Sequence, residues 1–81
     1  MPDDDRIAAV LAGLAARRGA GKTFCPSEAA RALAEDWRPM MPEVRRVAAE
    51  MQRHGDLQAF RMGTPVDPEL VRGPIRLGLP D

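Results

Sequence analysis

The sequence predicts an α+β fold of three helices followed by a small antiparallel β-wing. Apolar residues recur at helical spacing in three segments, and the period changes to a strand-like alternation after Gly55. The chain of 81 residues is the length of one domain. The predicted order is helix, short strand, helix, helix, strand, loop and strand, which is the order of a winged helix-turn-helix domain.

The first helix is predicted over residues 5–18, within a single domain that spans residues 1–81. Asp5 suits the positive end of the helix dipole and Arg18 suits the negative end. Residues 1–4 are expected to form a loose acidic N-terminus. The apolar stripe has the spacing i, i+3, i+4 and i+7 and consists of Ile7, Val10, Leu11 and Leu14.

The start of the second helix is predicted from its capping residues. An extended segment at residues 22–24 leads to Cys25, the predicted N-cap, and Pro26 occupies the first helical position. Glu28 at the third position can then accept the N–H of Cys25, which is half of a capping box. The helix is predicted to end near Ala34.

The third helix is predicted to start at Pro42 and to end before Gly55. It follows an irregular connector in which Trp37 is expected to pack over the junction between helices. The outward surface of this helix, on the side away from its apolar stripe, is predicted to carry Pro42, Arg46, Ala49 and Arg53. Its buried stripe is predicted to consist of Val44, Val47, Ala48 and Met51.

The wing is predicted from alternating residues at 57–61 and 74–79, where Ile75, Leu77 and Leu79 share one face. A turn is predicted at residues 63–65. The segment between the strands is long for a tight hairpin, and residues 67–69 are suited to a single helical turn.

Composition excludes several classes of protein. Twelve basic and twelve acidic residues give a net charge of zero, which counts against strong non-specific affinity for nucleic acid but allows a local basic surface. One cysteine, Cys25, forbids an internal disulfide. The acidic start is unlike a signal peptide, and no apolar run approaches the ~18 residues of a membrane span. We therefore expect a cytoplasmic protein with no membrane partner.

No motif predicts catalysis, a cofactor or a small-molecule substrate, and we expect that the chain is not an enzyme. Gly21-Lys22-Thr23 resembles the end of a phosphate-binding loop, but Ala16 stands where that motif requires glycine. His54 has no neighbours at metal-ligand spacing, so no metal site is predicted. Cys25 is either a half-buried structural residue or a thiol activated by the helix N-terminus.

Several segments are similar to those of a known family. CPSEAARAL, DWRPMMPEVRRVAAEM and GTPVDPELVRGPIRL resemble the small bacterial family called domain of unknown function 3253. The similarity extends from about Ile7 to Leu77. The resemblance implies a winged-helix fold and no particular activity.

The predicted function is that of a binding module, with DNA as the first candidate partner in a role like that of a transcription regulator. In a helix-turn-helix, the third helix enters the major groove. Arg46 is suited to a bidentate contact with guanine, with Arg45 and Arg53 beside it. Arg38 in the connector and Arg61 in the wing are expected to contact phosphates.

The alternative is a module for protein–protein interaction or homodimerisation without nucleic-acid binding. Glu43 and Glu50 flank Arg46 on the third helix, where they would repel phosphates. This alternative predicts an exposed apolar patch around Met40, Met41 and Leu70.

Overall fold

The computed structural model describes residues 2–80, and three helices lie in the first two thirds of this range. Helix α1 spans Asp4–Arg18, α2 spans Pro26–Leu33 and α3 spans Met41–Arg53. A 3-10 turn over Arg38–Met40 leads directly into α3. None of these helices is both long enough and apolar enough to cross a membrane.

Four short strands form one antiparallel sheet in the order β1-β4-β2-β3. Strand β1 spans Thr23–Phe24, β2 spans Gln58–Arg61, β3 spans Thr64–Val66 and β4 spans Arg76–Gly78. Three helices with a small antiparallel sheet confirm the predicted α+β fold, and the arrangement is compatible with a winged helix.

The helix starts follow from local hydrogen bonds. The Asp3 carboxylate accepts the N–H of Arg6 at 2.9 Å, so Asp3 is the N-cap of α1 and Asp4 lies in its first turn. The expectation of a loose N-terminus over residues 1–4 is therefore wrong for these two residues, while Met1 lies outside the described range. In α2, the N–H of Cys25 donates to Oε2 of Glu28 at 3.0 Å, as predicted.

The hairpin between β2 and β3 corrects the predicted wing. Its turn consists of Met62 and Gly63, whose φ angles of 51° and 82° are those of a two-residue hairpin turn. The prediction of a turn at 63–65 is wrong, because Thr64 already pairs with Arg61 and continues into β3. Pro65 is accommodated because β3 is an edge strand.

A single core lies between the helices and one face of the sheet. Pro26 and Pro68 are fully buried, and Trp37 packs half-buried against the core. Leu57, Ala59, Ile75 and Leu77 direct their side chains inward, as their alternation predicts. The helices contribute Ile7, Leu11, Ala15, Ala29, Ala30, Val44, Val47 and Ala48, and Phe24 and Met40 complete the cluster.

Candidate nucleic-acid interface

Arg46 lies at the centre of an acidic cluster. Its guanidinium contacts the Asp4 carboxylate at 2.6 Å, Glu43 at 2.7 Å and Glu50 at 3.5 Å. The hydrogen bonds that Arg46 donates to Asp4 and Glu43 raise the pKa of Arg46 above its ordinary value, and the bond from Arg46 lowers the pKa of Asp4. A phosphate that approaches Arg46 would therefore meet three carboxylates.

Arg45 is bound by the chain that follows β3. Its guanidinium donates to the carbonyl oxygens of Val71 at 2.8 Å and Gly73 at 2.5 Å. Two turns further along α3, the Gln52 amide donates to the carbonyl of Val66 at 3.0 Å. Segment 66–73 therefore lies along this side of α3.

Ala49 neighbours both Arg45 and Gln52 on the surface of α3, and it is only 2% exposed. The prediction that Ala49 lies on an open, outward surface is therefore wrong. The helical period placed it correctly opposite Val44, but the period could not show that a distant segment packs over it.

The five arginines predicted to bind nucleic acid do not form one cluster. Arg53 is 3.7 Å from the Glu69 carboxylate, and Arg61 donates to the carbonyl of Arg72 at 2.7 Å. Arg45, Arg53 and Arg61 thus all contact the segment between β3 and β4. Arg46 contacts the start of α1, and the Arg38 guanidinium lies 4.7 Å from the centre of the Trp37 ring.

The outer face of the sheet carries a second group of candidate residues. Phe60 pairs with Pro65 on one side and with Arg76 on the other, so these three side chains form a row across β3, β2 and β4. Residues on the other face of the same strands, such as Ala59 and Leu77, are buried in the core. The row therefore points away from the helices.

Arg76 is held in place by β1. Its Nε donates to Oγ1 of Thr23 at 3.1 Å, and one terminal nitrogen donates to the carbonyl of Thr23 at 3.0 Å. Lys22, the neighbour of Thr23, is exposed. Lys22, Phe60 and Arg76 line a hollow of about 250 Å³ together with Gly63 and Leu79.

A second hollow of about 310 Å³ adjoins the first and is lined by Phe60, Arg61, Met62 and Arg76, among others. Phe60 and Arg76 are shared between the two hollows. We call the surface formed by Lys22, Phe60, Pro65 and Arg76, together with Arg61 at the edge of the second hollow, the wing face. Arg61 follows Phe60 in β2, so its side chain leaves the sheet on the opposite side and borders this surface only at the second hollow.

The cations of the wing face are not neutralised by ion pairs. Within residues 2–80, no carboxylate lies within 4.0 Å of Lys22, Arg61 or Arg76. The charge of Arg76 acts on Glu28, but the Glu28 carboxylate is hydrogen-bonded to the N–H of Cys25 and paired with Arg18. These contacts, led by the Cys25 hydrogen bond, lower the pKa of Glu28.

Of the wing face, the sequence-based prediction included only Arg61. A signal for Phe60 and Arg76 was present, because inward Ala59 and Leu77 place their chain neighbours on the opposite face. Lys22 carried no comparable signal, since its position depends on the pairing of β1 with the distant strand β4.

His54 and Cys25, which were considered from the sequence as possible functional residues, both contact nearby atoms of the chain. His54 is exposed, and its Nδ1 lies 2.9 Å from the carbonyl oxygen of Glu50. Cys25 is half-buried, and the Ser27 hydroxyl donates to its sulfur at 3.1 Å. In the described part of the chain, no group of three or more His, Cys, Asp or Glu side chains is placed to hold a metal ion.

The apolar patch predicted around Met40, Met41 and Leu70 is only partly present. Met40 is 2% exposed, so the expectation that it contributes to a surface is wrong. It belongs to the 3-10 turn before α3 and packs into the core. Met41 is half-buried, and Leu70 is 80% exposed.

Fold and surface together define a small α+β domain, compatible with a winged helix, whose sheet presents cations around an aromatic ring. Residues 4–80 match the family described as "Protein of unknown function (DUF3253)", and the chain belongs to this family. The resemblance found in the sequence is thereby confirmed. No curated protein matches the chain significantly.

Proposed function

We propose that this domain is a DNA-binding module whose principal contact is the wing face. The observation that carries the proposal is the set of cations around Phe60 that have no carboxylate in salt-bridge contact within residues 2–80. Lysine and arginine contacts with phosphates supply most of the affinity of such modules, and aromatic rings add contacts with bases.

The wing face suits a polyanion better than α3 does. Arg46 is surrounded by three carboxylates, and Arg53 has Glu69 beside it. Each of these carboxylates would repel a phosphate and offset the attraction of the arginine. We therefore assign Arg61 to the main contact, and the other four arginines to a smaller contribution.

The test is the salt dependence of binding to a fluorescein-labelled DNA duplex, measured by fluorescence anisotropy. We expect log Kd to rise linearly with log salt concentration, with a slope that reflects the phosphates contacted. Lys22→Gln should weaken binding and reduce the slope by about 1, because it removes one phosphate contact. Lys22 is suited to the test because it is exposed and no hydrogen bond or ion pair of its side chain to residues 2–80 would be lost.

Arg6→Gln is the matched control. It removes one positive charge from an exposed position in the first turn of α1, roughly 18 Å along the helix from Arg18 and the wing. We expect its salt slope to equal that of the wild type. Absence of binding to both duplex and single-stranded DNA at low salt, or equal effects of Lys22→Gln and Arg6→Gln, would contradict the proposal.

A further inference from the structure

The first hollow of the wing face combines an aromatic ring, two cations and an apolar wall. We infer that it binds one unpaired nucleobase, stacked on Phe60, with the adjoining phosphate held by Lys22 and Arg76. This inference rests on the proposed DNA binding and deepens it. It names single-stranded DNA, or the unpaired end of a duplex, as the preferred form of the ligand.

Phe60 is placed as a stacking platform. It lies on the outer face of the sheet, half-buried between Pro65 and Arg76, and it lines a hollow on each side. The half-buried ring on the face of the sheet away from the core offers a surface on which any base can stack.

The two cations are positioned for a phosphate beside the stacked base. Arg76 is oriented by its two bonds to Thr23, which leave further N–H groups of the guanidinium free to donate. Because the side chain is already ordered, little conformational entropy is lost when a phosphate binds. Lys22 lines the same hollow from the segment before β1 and adds a mobile point charge.

Size and geometry select an unpaired base. The volume of about 250 Å³ lies just below the ~300–1,000 Å³ that is usual for drug-sized ligands, so the hollow suits one base better than a larger cofactor. Inside a duplex the faces of a base are covered by its neighbours and only its edges are accessible. Stacking on Phe60 therefore requires a base that has left the duplex or never belonged to one.

The experiment compares three fluorescein-labelled ligands in low salt: an oligothymidylate of about 12 nucleotides, an abasic strand with the same number of phosphates, and a blunt duplex of equal length. We expect the wild-type protein to bind the thymidylate roughly 5- to 140-fold more tightly than the abasic strand, which is the range expected for stacking of one base. This comparison changes only the ligand and does not depend on the folding of a variant.

Two variants test whether the difference in affinity between the thymidylate and the abasic strand comes from the ring of Phe60. Phe60→Leu keeps an apolar side chain in β2 but removes the aromatic face, so it should bind the thymidylate and the abasic strand equally. Phe60→Tyr keeps the ring and should retain the wild-type preference. Circular dichroism confirms that each variant is folded.

The outcomes separate the inference from the proposal on which it rests. If the wild type binds duplex and abasic strand with steep salt dependence but does not prefer the thymidylate, the base site is refuted and DNA binding stands. If Phe60→Leu keeps the full preference, the base is bound elsewhere and the inference is wrong. If none of the three ligands binds, the proposed function itself fails.

Discussion

Gly78 lies where β4 packs tightly against β1, with no room for a side chain. A Cβ atom at this position would lie 2.9 Å from the carbonyl oxygen of Lys22 and 3.2 Å from Cγ2 of Thr23. Neither neighbour can withdraw easily, because Thr23 pairs with Gly78 in the sheet and also holds Arg76. The absence of a side chain at Gly78 thus allows Lys22 to take its place in the wing face.

We predict that Gly78→Ala lowers the free energy of unfolding by about 1–3 kcal/mol, because the added methyl group forces β1 away from β4. Urea denaturation followed by the fluorescence of Trp37 measures the change. Gly13→Ala is the control: Gly13 lies inside α1, and a Cβ atom there would meet nothing within 4 Å. This second change should raise the stability by about 0.4–1 kcal/mol. Shifts of the same sign in both variants would contradict the explanation.

The pair of Asp4 and Arg46 joins the N-terminal end of α1 to the middle of α3. Both oxygens of Asp4 accept hydrogen bonds from the guanidinium, at 2.6 and 3.0 Å. The two residues are 42 positions apart in the chain, so the bidentate contact exists only when the helices are packed together. The pair therefore reports on the docking of one element against another.

The pair makes stability depend on pH in a defined direction. The bond from Arg46 lowers the folded-state pKa of Asp4 below the ordinary value of 3.8. Such a carboxyl contributes stability that is present above its unfolded pKa and is lost as the pH falls through its folded pKa. We predict that the melting temperature falls less steeply below about pH 4 in Asp4→Asn than in the wild type.

Asp5→Asn is the control for this measurement. It removes an equivalent charge from the first turn of α1, but Asp5 forms no ion pair within residues 2–80. The pH profile of this variant should stay parallel to that of the wild type. A profile of Asp4→Asn that is also parallel would show that the Arg46 contact contributes nothing to the acid response.

At the scale of the whole molecule, the segment between β3 and β4 covers one side of α3. Arg45 binds its backbone, Gln52 binds the carbonyl of Val66 at the end of β3, and Pro68 within the segment is fully buried. The loop begins with the predicted helical turn, in which the N–H of Val71 donates to the carbonyl of Asp67 at 3.1 Å. The surface of α3, the helix that would enter the major groove in a helix-turn-helix, is thus partly covered by the protein's own chain.

We predict that Arg45→Met lowers the free energy of unfolding by about 1–2 kcal/mol, because two charge-assisted hydrogen bonds to the loop are lost. Amide hydrogen exchange at Val71 should become faster. In the control Arg53→Met, only a contact of 3.7 Å between exposed groups is removed, so stability should change by less than about 0.5 kcal/mol. Unchanged exchange at Val71 in Arg45→Met would show that other contacts hold the loop.

The helices and their starts could be predicted from the residues because the signals are local. The stripe of Val44, Val47 and Ala48 follows from the helical period, and the bond between Cys25 and Glu28 spans three positions. The wing was predicted less well. The tight turn at Met62 was missed because its positive φ is unusual for methionine. Gly63, the next residue, fits both the predicted turn at 63–65 and the observed one.

Long-range placement lay beyond any local pattern. Ala49 faces away from the core stripe of α3 and is nevertheless buried, because segment 66–73 returns to cover it. Lys22, Phe60 and Arg76 come together because β4 pairs with both β1 and β2, at separations of many residues. Periodicity fixes which side of an element a residue occupies, whereas the pairing and docking of elements fix what that side meets.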